Sequence, residues 1–172
     1  GESFLGQYPV EVHYTSIDTD IFRPTPGNFR EKHGLEGKII LLGVASVWDA
    51  RKGLQDFVEL SGMLDDRYKI VLIGLTDDQI SALPEKILGL PRTNSMEELV
   101  HAYTEADIFL NPSVEETFGM TILEAHCCGT PAVVYEGTAC EEIVNQFGGI
   151  AVPRGAENLY AAVKKLTGEE AQ

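Results

Sequence analysis

Two glutamates separated by seven residues are the first candidates for chemistry in this chain of 172 residues. Glu116 and Glu124 lie in the stretch "VEETFGMTILEA", with Phe118-Gly119 between them. Carboxylates accept hydrogen bonds from hydroxyl groups, so two on one rim would suit a ligand with two polyol parts. Glycine lets a ligand approach the main chain closely, and the first N–H groups of a helix are available to bind it. The alternative is that Glu124 simply lies on the polar face of an amphipathic helix, and the spacing alone leaves both possibilities open.

A basic pair at the start of a helical pattern is the second candidate. Arg51-Lys52-Gly53 follows the apolar run "KIILLGVA" and leads into "KGLQDFVELSGML". Helix N-termini favour anions, and a lysine there adds a full positive charge. The pair is therefore a candidate for binding a phosphate group, with a solvated basic pair as the alternative. The chain has neither G-x-G-x-x-G nor G-x-x-x-x-G-K-[ST], so it lacks the two common phosphate-binding loops.

The elements that must position these residues alternate from residue 38 onward. Buried-strand runs and helical patterns follow one another, which predicts an α/β fold with a doubly wound parallel sheet of about six strands and helices on both faces. Ligands bind such sheets at the carboxyl ends of the strands, near the topological switch, which again directs attention to the residues after the first and fourth strands. The predicted strands are 38–45, 68–74, 86–90, 107–113, 131–135 and 149–153, and the predicted helices are 52–64, 76–83, 95–103, a segment ending at Gly129, and 156–166.

The composition narrows the class of protein. Hydrophobic residues make up 44% of the chain, enough for a core, but no apolar run is long enough to cross a bilayer. No signal peptide is recognisable at the start. The net charge of −14, from 27 acidic and 13 basic residues, disfavours nonspecific binding to nucleic acid. Cys127, Cys128 and Cys140 form no C-x-x-C pair, which fits a reduced, cytoplasmic protein better than a disulfide scaffold or a zinc site.

Residues 1–30 do not follow the strand–helix alternation. They are rich in Pro, Gly, Thr and Asp, and we predict that they are the remnant of an interdomain linker, with residues 31–172 forming one domain. Asp18-Thr19-Asp20 has the spacing of a metal-binding motif but lies in this linker. We therefore expect a fragment of a larger protein.

These motifs together resemble a known family. "NPSVEETFGMTILEAHCCGTPAVVY" (111–135) resembles the donor-binding signature of retaining glycosyltransferases of family 4, which have the GT-B fold. "IDTDIFRP" (17–24), the Arg51-Lys52-Gly53 turn and "GGIAVPRG" (148–155) are similar to further family elements in the same order. The resemblance covers nearly the whole chain and implies one half of a GT-B fold, the C-terminal Rossmann-like domain that binds a nucleotide sugar.

The resemblance also implies roles for individual residues. Glu116 would contact the hydroxyls of the donor sugar, Glu124 would accept hydrogen bonds from the ribose, and Lys52 would neutralise the diphosphate leaving group. Glu116 and Lys52 are thus the residues implied to take part in the reaction, and the two glutamates would bind the two ends of one sugar nucleotide. The other implied donor-binding residues are Arg51, Arg92, Thr117, Phe118, Gly119, Met120 and Thr121.

The roles suggested for Arg51 and Arg92 rest on how this chain compares with the family pattern. The family pattern G-R-L-x-x-x-K-G has an arginine shortly after the first strand, where this chain has Ser46 and Val47, and Arg51 is the candidate for its role. Arg92-Thr93 follows the third strand, where the family places its nucleobase contacts, although a plain turn would look the same.

The implied activity is transfer of a hexose from a UDP- or GDP-sugar to a saccharide or lipid-linked acceptor, in the assembly of bacterial surface polysaccharide. No cofactor or metal is expected. The acceptor would be held with the help of a missing N-terminal domain, so the fragment alone should be inactive, and the full-length protein is a candidate for peripheral attachment to a membrane. Two alternatives stay open on the same fold, a non-catalytic nucleotide-binding module and another GT-B enzyme such as a sugar-nucleotide epimerase.

Overall fold

The structure, a computed structural model, describes residues 17–49, 52–93, 95–113 and 120–168. Within these ranges six parallel strands form one sheet in the order β3-β2-β1-β4-β5-β6. The predicted doubly wound α/β sheet is confirmed, and each strand lies inside the apolar run that predicted it. The strands are β1 Ile39–Val44, β2 Tyr68–Ile73, β3 Ile87–Leu90, β4 Ile108–Asn111, β5 Ala132–Tyr135 and β6 Ile150–Val152.

Helices cover both faces of this sheet. In the described ranges they are α1 Phe29–Lys32, α2 Leu54–Ser61, α3 Asp77–Ser81, α4 Met96–Glu105, α5 Met120–Cys127, α6 Ala139–Phe147 and α7 Ala156–Leu166. One core lies between the sheet and α1, α4, α5 and α6, and the other lies between the sheet and α2, α3 and α7. None of these helices is both long and apolar enough to cross a membrane.

Two of the helices were not predicted from the sequence. Helix α1 has only four residues, too few to show a helical period. Helix α6 buries a narrow stripe of Cys140, Ile143 and Val144, and its other positions are mostly polar. A capping signal marks its start, because the Thr138 side chain accepts a hydrogen bond from the Cys140 N–H at 3.2 Å. With Phe147 partly buried against the same core, the stripe has the i, i+3, i+4, i+7 spacing of a helix, so the periodicity and the cap were both usable signals.

The segment before β1 packs on the domain from residue 17 onward. Phe22 and Phe29 are buried in the core that also contains α4. At the end of α4, the Glu105 carboxylate accepts the N–H groups of Gly27 and Arg30 at 2.8 and 2.9 Å. Helix α1 spans the linker–domain boundary suggested at residue 30, and residues 1–16 lie outside the described ranges, so this boundary stays a prediction.

The strand order fixes where a ligand would bind. From β1 the chain proceeds to β2 and β3 on one side, and from β4 it proceeds to β5 and β6 on the other. The topological switch therefore lies between β1 and β4, whose carboxyl ends are Val44 and Asn111. A crevice outside these strand ends is the expected ligand site of this architecture.

Candidate functional site

A cavity of about 200 Å³ opens at the switch between β1 and β4. The structure therefore brings Lys52, Met120 and Thr121 together at one site, although they lie in separate parts of the sequence. Lys52 and the first turn of α5 both line this cavity. The lining residues are Val44, Ala45, Ser46, Trp48, Lys52, Leu110, Asn111, Pro112, Met120 and Thr121.

Gly53 places Lys52 at this cavity. Its backbone is left-handed, with φ of 83°, a conformation that glycine adopts without steric cost. The main chain here also lies against β4, because a Cβ added to Gly53 would be 2.6 Å from the carbonyl oxygen of Pro112. The Lys52 N–H donates to the Asp49 carbonyl at 3.1 Å, which closes the turn. Glycine is therefore required for the turn that carries Lys52 to pack against the end of β4.

Asn111 connects the end of β4 to α5. The side chain is buried; Oδ1 accepts the Ser113 N–H at 3.2 Å, and Nδ2 lies 3.4 Å from Thr121 Oγ1. A buried amide held on both sides fixes the relative position of the strand end and the first turn of the helix. Asn111 was not among the predicted site residues, and its signal was a polar residue at the end of an otherwise apolar strand.

Glu124 lies in α5 and is half-buried. The Tyr103 hydroxyl donates to its Oε1 at 2.6 Å, a distance typical of a bond to a charged carboxylate. Burial raises the pKa of Glu124, and the hydrogen bond from Tyr103 opposes that rise. A glutamate on a solvated helix face would show neither effect. The structure therefore disfavours the alternative in which Glu124 simply lies on the solvated polar face of its helix.

Arg92 reaches from the end of β3 to the loop after β1. Its Nη2 donates to the Ser46 carbonyl at 2.8 Å, and Ser46 lines the cavity at the switch. Arg92 also lines a second cavity of about 130 Å³, together with Phe29, His33, Ile73, Leu90, Pro91, Thr93 and Glu98. Arg92 thus lies where the two cavities meet.

Two further groups shape the second cavity. The His33 Nε2 atom is buried without a hydrogen-bond partner among the described residues. Trp48, which lines the first cavity, donates from Nε1 to the carbonyl of Ile73 at 3.0 Å, and Ile73 lines the second cavity; its ring packs edge-on against Phe57. Trp48 is accordingly a packed aromatic residue that also lines the site.

Several predicted residues cannot be placed. Arg51, Glu116, Thr117, Phe118 and Gly119 lie outside the described residues, so the roles suggested for them stay predictions. Among the residues that are described, no group of three His, Cys, Asp or Glu side chains is arranged to hold a metal ion.

The sequence is similar to proteins of a known family. Residues 38–169 match the family model described as Glycosyl transferases group 1. A Campylobacter jejuni protein, N,N'-diacetylbacillosaminyl-diphospho-undecaprenol alpha-1,3-N-acetylgalactosaminyltransferase, is 30% identical over 137 residues, which cover 77% of this chain and 36% of that protein. The chain spans about a third of the length of the curated relatives it matches.

Solved structures show the same fold at lower sequence identity. The C-terminal domain of a glycosyl transferase group 1 family protein from Francisella tularensis has a TM-score of 0.68 at 20% identity, covering 91% of this chain and 93% of that one. The Anabaena protein HepE in complex with UDP and glucose has a TM-score of 0.74 at 18% identity, covering 90% and 47%. The half of the GT-B fold predicted from the sequence is thus confirmed.

Proposed function

Because the chain belongs to the glycosyl transferases group 1 family, we propose that it is the donor-binding half of a retaining glycosyltransferase of family 4. Its curated relatives are glycosyltransferases. One observation carries the donor-binding role. The cavity at the switch is lined both by Lys52 and by the first turn of α5, and a cation and a helix N-terminus are groups that favour a diphosphate.

The leaving group determines the chemistry of this cavity. When the bond to the anomeric carbon breaks, negative charge develops on the diphosphate. A lysine and the positive end of a helix dipole can stabilise that charge. Lys52 would supply the first and α5 the second, so we propose transfer without a metal ion. Glu116, outside the described residues, would contact the sugar hydroxyls, as the family resemblance implies.

The two adjoining cavities suggest how the nucleotide lies. With its diphosphate at the switch, the nucleobase would point toward the second cavity, which offers apolar walls from Phe29 and Leu90 and polar groups from Arg92 and His33. The ribose would then lie near Glu124. The Arg92–Ser46 hydrogen bond supports this course, because it joins the walls of the two cavities.

The substrates are proposed at the level of chemical class. We propose a UDP- or GDP-hexose as donor and a saccharide or a lipid-linked saccharide as acceptor, in bacterial surface polysaccharide assembly on the cytoplasmic side of the membrane. The name of the Campylobacter relative specifies a diphospho-undecaprenol acceptor, which supports the lipid-linked class. An upstream half would complete the acceptor site, and the whole protein would bind peripherally to the membrane.

Calorimetric titration with UDP, GDP, UDP-glucose and GDP-mannose, in buffer containing EDTA, tests donor binding. At least one probe should bind, and at about 100 times its Kd it should stabilise the fold by roughly 2.7 kcal/mol. Lys86 lines a separate cavity with Lys38 and Lys69, near the amino ends of the strands. Lys86→Ala is therefore a matched control for Lys52→Ala. Absence of binding by all four probes at millimolar concentration would refute the proposal.

Transfer needs a separate experiment. Holding two reactants in a reactive geometry can contribute about 7–11 kcal/mol to catalysis, and the donor half alone cannot position an acceptor. Residues 1–172 should therefore bind donor without transferring its sugar, and joining the native upstream sequence should restore transfer with retention at the anomeric carbon. Binding without transfer in the joined protein would identify a non-catalytic module. Conversion of a free sugar nucleotide without acceptor would identify an epimerase.

A further inference from the structure

Tyr103 is fully buried and its position is fixed from several directions. Its main-chain carbonyl accepts a hydrogen bond from the Thr130 hydroxyl. Its ring lies 5.7 Å from that of Phe109 in β4 and meets the ring of Phe22 edge-on at 6.2 Å, measured between centroids. The ring is therefore held between the sheet and the segment that enters the domain, so the direction of its hydroxyl is set by packing.

That hydroxyl donates to Oε1 of Glu124 at 2.6 Å. Burial and the adjacent carboxylate raise the pKa of Tyr103 well above its ordinary value, so the hydroxyl remains a donor at any physiological pH. A carboxylate has two oxygens, and among the described residues the hydrogen bond to Glu124 goes to Oε1. A ligand would then meet the other oxygen, Oε2, in an orientation that the bond to Tyr103 defines.

We propose, resting on the function proposed above, that Tyr103 is a positioning residue for ribose recognition: its hydroxyl holds one oxygen of Glu124 and thereby orients the other toward the ribose hydroxyls. A glutamate without this bond would exchange among rotamers, and ligand binding would have to fix the side chain at an entropic cost. Without the bond from Tyr103, both oxygens of Glu124 could also accept from the ribose hydroxyls, in more than one geometry.

The same observations allow a merely structural role, in which the Tyr103–Glu124 bond only stabilises the fold. The two roles differ in a measurable way. Loss of a structural bond lowers stability equally with any ligand, whereas loss of positioning weakens only ligands that carry ribose hydroxyls. The chain offers a matched control in Tyr135, another fully buried tyrosine, whose hydroxyl donates to the Asp56 carboxylate in the core on the opposite face of the sheet.

The experiment compares UDP with 2′,3′-dideoxy-UDP, and GDP with its dideoxy analogue, by calorimetric titration. In the wild-type chain the ribonucleotide should bind more tightly. Tyr103→Phe should weaken the ribonucleotide about fivefold to tenfold and leave the Kd of the dideoxy analogue within about twofold. Tyr135→Phe should lose stability without changing either Kd. In a Glu124→Gln background, Tyr103→Phe should have no further effect on ribose preference.

The outcomes separate this inference from the function on which it depends. If the wild-type chain binds none of these nucleotides, or shows no ribose preference, the proposed role of Glu124 is wrong and this inference falls with it. If the wild type prefers the ribonucleotide and Tyr103→Phe keeps that preference, the inference alone is wrong. Should Tyr103→Phe fail to fold, Phe22→Leu loosens the same ring while keeping the hydroxyl. It should reduce ribose preference by about twofold to threefold, and an unchanged preference would overturn the inference.

Discussion

Replacing Gly53 by alanine should distort the site, because the new side chain would clash with Pro112. The left-handed backbone at Gly53, with φ of 83°, costs a residue with a side chain about 1–2 kcal/mol. The new Cβ would also lie 2.6 Å from the Pro112 carbonyl oxygen, and such overpacking typically costs about 1–3 kcal/mol. Gly53→Ala should therefore lower the free energy of unfolding by about 2–5 kcal/mol, the sum of both effects.

Gly137 provides the matched control, because alanine there carries the cost of a left-handed backbone without the cost of a steric contact. Its φ is 80°, and a Cβ added there would meet no described atom within 4 Å. Gly137→Ala should therefore show only the backbone cost of about 1–2 kcal/mol. Urea unfolding of both variants gives the difference that belongs to the Pro112 contact, and titration with UDP should show weaker binding only for Gly53→Ala, whose turn carries Lys52. Equal loss of stability in the two variants, or unchanged UDP affinity in Gly53→Ala, would refute this account of the turn.

Three further predictions concern single charges. Lys52→Ala should weaken UDP and GDP about tenfold to a hundredfold in calorimetric titration, while Lys86→Ala should not; equal effects would show that only net charge matters. The raised pKa of Glu124, caused mainly by burial, means that wild-type stability falls as pH rises from the ordinary glutamate range through that raised value. Urea unfolding should then find Glu124→Gln more stable than wild type at neutral pH, with a difference that disappears near pH ~4, and a constant difference would contradict this. Burial, with a smaller effect of a neighbouring lysine, lowers the pKa of His33. The contribution of neutral His33 to stability should therefore be lost as pH drops from about 6.5 toward that lowered pKa. His33→Phe should flatten that fall in thermal melts, and an unchanged pH profile would exclude His33 as its source.

The sheet could be predicted because each strand leaves an uninterrupted apolar run in the sequence. Runs such as Ile39–Val44 and Tyr68–Ile73 are buried on both faces, so their hydrophobicity does not depend on which helix covers them. The position of the site followed from the strand order, since ligands bind at strand ends near the switch. Lys52 and Thr121 could therefore be assigned to one edge of the sheet without coordinates.

Polar contacts between neighbouring elements could not be predicted, because they leave no pattern in the sequence like the apolar runs of the strands. Tyr103 lies in the predicted helix 95–103, but its hydrogen bond to Glu124 depends on how α4 and α5 pack. The bond from Arg92 to the Ser46 carbonyl likewise joins loops after different strands. Hydrophobic periodicity indicates which face of an element is buried, and it does not indicate which polar atom a buried side chain will meet.

The attachment of the entering segment to α4 has a mechanical consequence. The Glu105 carboxylate holds the N–H groups of Gly27 and Arg30, and the Arg30 guanidinium donates to the Glu105 carbonyl and to Asp107. A pull or a twist applied to the entering segment would be shared among these bonds in parallel. Asp107 also accepts the Ile40 N–H of β1, so the load would reach α4 and the start of β1 together. In α4, Tyr103 contacts Phe22 of the entering segment and donates a hydrogen bond to Glu124. Tension in the entering segment would thus act on the helix beside the proposed ribose site.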